Sequence, residues 1–122
     1  MNKQRVMPLI GTILHNPVRS NLLSKHIKAS KYPNLSAQIP DDVLIIDEVF
    51  PEEELDSINE RFEPYLKEYS VFPFLGILGG NVVAIGYGNS NEGRIYYYDF
   101  DFGIFELDAT IEEFLNGLES QE

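Results

Sequence analysis

Between Tyr69 and Leu107 the chain is a succession of short β-branched and aromatic runs, each closed by a turn signal, and this pattern constrains the fold most. Tyr69 to Leu75 is apolar and aromatic, Gly79-Gly80-Asn81 marks a tight turn, and Val82 to Tyr87 returns as a second run. Asn89-Ser90-Asn91-Glu92-Gly93 is a second turn, Arg94 to Asp99 a third run, and Asp101-Phe102-Gly103 a third turn before Ile104 to Leu107. Turns this short join antiparallel neighbours only, because a parallel pair needs a crossover of a dozen or more residues. The spacing predicts a four-stranded antiparallel meander.

Helices are expected on either side of it. Pro51 suits a first helical position, Glu52, Glu53 and Glu54 suit the positive end of a helix dipole, and Lys67 falls near the negative end. Leu55, Ile58, Phe62 and Tyr65 form the apolar stripe of that helix. Thr110 and Glu113 form a capping box for a closing helix with Ile111, Phe114, Leu115 and Leu118, after which residues 119–122 should fray. Upstream, Val43 to Ile46 is a further strand. Leu22, Leu23, His26 and Ile27 have helical spacing, which predicts a short helix capped by Asn16 or Ser20 and ending before Tyr32-Pro33. Residues 33–40, with two prolines and little periodicity, read as an extended connector inside a single domain of 122 residues.

Charge divides the chain sharply. Residues 1–32 carry six basic residues and no acid, whereas residues 33–122 carry all 20 acids against Arg61, Lys67 and Arg94. The basic segment is therefore expected to dock on the acidic body. Val6 to Leu14 is interrupted by Pro8 and Gly11 and lacks a small-residue cleavage pattern, so it does not read as an address signal. The net charge of −11 opposes direct nucleic-acid or membrane-surface binding and favours a basic partner. With no Cys, thiolate metal sites, disulfides and thiol nucleophiles are excluded and a reducing, cytoplasmic setting is expected. No apolar run approaches the roughly 18 residues of a membrane span.

Catalytic chemistry finds little to work with. His15 and His26 are the only imidazoles, and neither stands in a nucleophile-elbow or metal-pair pattern. The glycines from Gly86 to Gly93 lead into a strand and not into a helix, so they read as a hairpin turn and not as a phosphate loop. Asp99 and Asp101 could offer two carboxylates to a hard cation, but a rim of solvated acids explains them equally, and no third acid stands at a defined spacing. No cofactor, metal or catalytic residue is assigned. Tyr96, Tyr97 and Tyr98 cannot all face inward, because strand side chains alternate. Outward tyrosines beside Asp99 and Asp101 suit recognition of a basic protein surface, and Glu52 and Glu53 offer a further acidic contact; a covering helix or connector is the alternative for the tyrosine face.

Residues 73–118 hold Pro-Phe-Leu-Gly, Gly-Gly-Asn-Val-Val-Ala-Ile-Gly, Asn-Glu-Gly-Arg-Ile-Tyr-Tyr-Tyr-Asp-Phe-Asp and Ile-Glu-Glu-Phe-Leu-Asn-Gly-Leu in order. In this they resemble the SUKH superfamily, which includes bacterial immunity proteins of polymorphic toxin systems and fungal cell-wall-synthesis regulators. The resemblance covers somewhat more than a third of the chain. The N-terminal half lacks the family's Leu-Pro-x-x-Tyr helix and Asn-Gly loop. The resemblance implies an α+β fold with an antiparallel curved sheet of about four to six strands flanked by helices. It also implies a non-enzymatic bacterial immunity protein that neutralises a cognate toxin domain stoichiometrically, nucleases being among the toxins such proteins meet. An intracellular adaptor or regulatory module without a toxin partner is the alternative.

Overall fold

The computed structural model describes residues 3–120, and within them the chain is α+β, with a curled antiparallel sheet of seven strands flanked by helices. The meander is where the sequence places it: β3 (Val71–Ile77), β4 (Val82–Gly86), β5 (Ile95–Asp99) and β6 (Gly103–Asp108) pair in succession. Every residue of β3 and β4 is buried, as central strands covered on both faces must be. β2 (Val43–Val49) pairs with β3, and its register shifts between Ile46 and Glu48. That bulge breaks the alternation of faces and leaves Asp47 and Glu48 both exposed.

Upstream, one element lies where none is predicted and two expectations are corrected. A helix does run through Pro8: α1 (Lys3–Gly11) carries Val6 and Ile10, with Ile13 just beyond it, at 0% exposure. Pro8 itself is exposed, and the only intrahelical bond that its missing N–H removes is to the carbonyl of Gln4, also on the wet side. The short helix expected after a cap at Asn16 or Ser20 and ending before Tyr32-Pro33 stops early. α2 (Val18–Leu22) ends at Leu23, and the chain then enters β1 (Lys25–Lys28), where Ile27 pairs with Leu44 across β2. So short a set, Leu22, Leu23, His26 and Ile27, does not fix the period, and the free edge of β2 decides it. The connector is not extended throughout, since Pro33 takes the first helical position of α3 (Pro33–Ser36) and buries Leu35.

The long helix also begins later than Pro51 suggests. Pro51 is extended, Glu52–Glu54 form a 3₁₀ turn, and α4 (Leu55–Leu66) follows and packs on β3. Its buried stripe is Leu55, Ile58 and Leu66; Phe62 is half-buried and Tyr65 is 50% exposed. The capping box is present, with Glu113 N–H donating to Thr110 Oγ1 over 3.1 Å at the start of α5 (Ile111–Asn116). Glu119 and Ser120 do not fray: as β7 (Glu119–Ser120) they pair with β1, while residues 121 and 122 lie outside the described residues.

Connectivity explains the curl. The strand order is β6-β5-β4-β3-β2-β1-β7, so β6 and β7 are opposite edges although only residues 109–118 join them. Six strand spacings of a flat sheet measure about 29 Å. Ten residues, six of them in α5, reach about 23 Å at most. The edges must therefore curl toward each other, and the turn after β1 reaches the end of β6 and the connection after α5: Tyr32 Oη donates to Asp108 Oδ2 over 2.7 Å, and Lys31 Nζ donates to the Gly117 carbonyl. The basic segment is tied to the acidic body by Arg5–Glu92, Lys28–Asp42 and Lys31–Glu119 ion pairs at 3.3, 2.9 and 3.2 Å.

Candidate functional site

β5 places its three tyrosines on two faces, as alternation requires. Ile95, Tyr97 and Asp99 point into the core, where Tyr97 is 1% and Asp99 7% exposed, whereas Tyr96 and Tyr98 are half-buried on the opposite face. Two residues expected at a binding surface are thus interior. Tyr97 Oη donates to Asp99 Oδ2 over 2.8 Å, and Asn81 Nδ2 donates to both the phenol oxygen (3.0 Å) and the carboxylate (3.1 Å). The other carboxylate oxygen accepts the N–H groups of Asp101 (2.8 Å) and Phe102 (3.2 Å). Asp99 therefore organises the β5–β6 turn and cannot act as a steering charge or hold a cation with Asp101. Burial, followed by the hydrogen bond and negative charge of Asp99, pushes the Tyr97 phenol well above its ordinary pKa.

On the opposite face the rings gather. Phe100 lies 5.1 Å from Tyr98 and 5.1 Å from Tyr65, each edge to face, and 5.8 Å from Phe62. Three elements supply this cluster: β5 with Tyr98, the β5–β6 turn with Phe100, and the C-terminal half of α4. Phe100 is held by its N–H, which donates to Asn81 Oδ1 over 3.0 Å. Even so it is 46% exposed. Beside the rings opens a cleft of about 400 Å³ whose other wall is the β2 bulge with Asp47 and Glu48. Its floor includes Gly76, where a Cβ would stand 3.2 Å from Glu48 Cβ and 3.2 Å from Phe50 Cε1. Arg61 completes the rim, its guanidinium 5.8 Å from the centroid of Phe62.

The remaining expected residues are dispersed. Asp101 is exposed next to Phe100, and Tyr98 joins the ring cluster. Tyr96 sits across from Glu106, which pairs with Arg94 at 2.9 Å. Glu52 and Glu53 are exposed on the turn before α4, with Glu52 Oε1 3.9 Å from His15 Nε2, and neither lines the cleft. Sequence reasoning missed Asp47, Glu48, Phe62, Tyr65 and Phe100 as site residues. Two adjacent acids inside an apolar strand are the signal that could have shown the bulge, but Phe62 and Tyr65 are indistinguishable from core on periodicity alone. Among the described residues no three His, Asp or Glu side chains group as a metal centre would require.

A family model, RhsPI, matches residues 21–119, which take in β1 to β6 and the whole cleft. The chain belongs to the RhsPI family. The family is one of Rhs-associated immunity proteins, which places this member among toxin-immunity proteins in general. The model that matches is RhsPI and not one of the SUKH superfamily, so the match does not bear on the resemblance of residues 73–118. No curated protein matches the chain. No helix of this RhsPI member, among the described residues, is long and apolar enough to cross a membrane.

Proposed function

We propose that this RhsPI member is a cytoplasmic protein that neutralises a cognate toxin domain by stoichiometric binding, without catalysis, and that the toxin surface it covers is basic. The family match supports immunity, and one structural observation carries the choice of partner. The excess of acids in residues 33–122 stays largely on the outside: Asp47, Glu48, Glu53, Asp56, Glu60, Glu63 and Asp101 are all exposed, and of these Asp47, Glu48 and Asp101 stand next to the exposed rings of Tyr65 and Phe100. Acidic fields steer basic partners, and aromatic side chains anchor them once they have docked. A nuclease, which must hold phosphate, is a toxin of this kind. A distant kinship of the RhsPI fold with SUKH proteins belongs to the same proposal, supported by the shared order of strands, turns and closing helix.

Co-production of the chain with the toxin domain encoded beside its gene tests the reading. Restored growth together with a one-to-one complex on size exclusion is expected. Restored growth without a complex, or a complex with an acidic partner, would overturn it.

A further inference from the structure

Resting on the immunity reading, we propose that the cleft between the β2 bulge and the aromatic cluster receives an arginine side chain of the cognate toxin domain. Its guanidinium would lie between the carboxylates of Asp47 and Glu48 and the ring faces of Tyr65 and Phe100. The bulge between Ile46 and Glu48 turns two successive carboxylates to the same wet surface, which an unbroken strand could not do. Across from them Tyr65 and Phe100 keep about half of their area in water, 50% and 46%, although each touches other rings. Gly76 at the floor leaves room that any side chain would fill, since even a Cβ would press on Phe50 and Glu48 at 3.2 Å.

The chemistry selects the occupant. A planar cation satisfies both walls at once, because it can stack on a ring and present N–H groups in its plane to carboxylates. The molecule itself shows the first half of this: Arg61 rests over Phe62, 5.8 Å from the ring centroid. Two cleft carboxylates against one resident guanidinium leave the site negative. A neutral apolar side chain would use the rings and leave the acids desolvated, and a lysine would lack the planar fork.

The test uses the full chain, labelled with ¹⁵N, and N-acetyl-arginine-N-methylamide as probe. Saturable amide shifts confined to Gly76, Gly80, Asn81 and Phe100 are expected, with an affinity on the order of millimolar for a single side chain. The citrulline analogue, isosteric but uncharged, should give none. D47N/E48Q should weaken binding by at least about tenfold with the melting temperature unchanged, and Tyr65→Ala should weaken it as well. Equal shifts with citrulline, no saturable shift, or unchanged binding by D47N/E48Q would overturn the inference. Co-production with the toxin separates it from the immunity reading. Loss of protection in D47N/E48Q is expected; full protection by this variant overturns the cleft and leaves immunity standing, whereas absence of protection by the wild-type chain overturns immunity itself.

Discussion

Tyr97 and Asp99 meet on the inner face of β5, the phenol donating to the carboxylate over 2.8 Å, and both are closed off from water. A buried carboxylate is tolerable only when its oxygens are satisfied, and here Tyr97, Asn81 and two turn N–H groups satisfy them. Asp99→Ala removes the acceptor from four donors at once and should destabilise the fold by about 3 kcal/mol or more. Asp101→Ala, two residues on and exposed, should stay within about 0.5 kcal/mol. Urea unfolding of the two variants checks this; equal losses would remove the turn-organising role of Asp99.

The same pair sets a dependence on alkaline pH. In the unfolded chain Tyr97 ionises near the ordinary phenol value of 10.0, but in the fold burial and the Asp99 carboxylate keep it protonated to higher pH. Tyr32 is held up in the same direction by burial and then by Asp108. Above about pH 10 the native state thus holds more protons than the unfolded state, so stability falls as pH rises. Tyr97 alone contributes a slope of up to about 1.4 kcal/mol per pH unit until its own raised pKa is reached. Tyr97→Phe should make the decline shallower, as read from urea midpoints above pH 10, and an unchanged slope would count against the pair.

Leu55 and Ile58 are 1% and 3% exposed, whereas Phe62, on the same helix face, is only half-buried beside Phe100. Truncating Leu55 or Ile58 to Ala should therefore cost about 2 to 4 kcal/mol. Phe62→Ala removes a larger side chain but less buried area, and about 1 to 2 kcal/mol is expected. Denaturant titrations should rank the three in that order, and Phe62 as the costliest would mean that its ring is enclosed.

Gly86 at the end of β4 and Gly93 in the turn after it should behave differently. Gly93 has φ +83°, and a Cβ there would meet only Leu9 Cδ1, at 3.8 Å, so Gly93→Ala carries the conformational cost alone, about 1 kcal/mol. At Gly86 a Cβ would stand 2.2 Å from the Asn91 carbonyl oxygen. Asn91 is itself fixed, its Oδ1 accepting Gly88 N–H and its Nδ2 donating to the Tyr69 carbonyl, so it cannot move aside cheaply. Gly86→Ala should lower the melting temperature at least twice as far as Gly93→Ala.

Local chemistry made the meander legible from the sequence. Gly79, Gly80 and Gly93 all have positive φ, and Thr110 caps the helix that its spacing with Glu113 announces. What stayed hidden depends on distant partners. Ile27 belongs to a strand because Leu44 lies across from it, and Glu119 because His26 does. The site was half visible for the same reason. Alternation predicts that Tyr96 and Tyr98 share a face, but which face is wet depends on where α4 lies, and the ring cluster forms from residues 62, 65, 98 and 100 that no single period connects.

Binding kinetics follow from which acids are outside. Glu52, Glu53 and Asp101 are exposed, so replacing them by Lys should leave stability nearly unchanged while slowing association with the basic toxin domain. The effect is one of steering and should fade as salt shortens the Debye length below about 8 Å. Asp99 belongs to the fold and not to this set, because its reversal would unfold the β5–β6 turn before any encounter is measured. Truncation of Tyr98, which is half-buried against Phe100, should instead raise the dissociation rate, since aromatic anchors act after docking. Surface plasmon resonance at low and high salt separates the two kinds of change. Association rates that are indifferent to all three reversals at low salt would show that the acidic surface does not face the toxin.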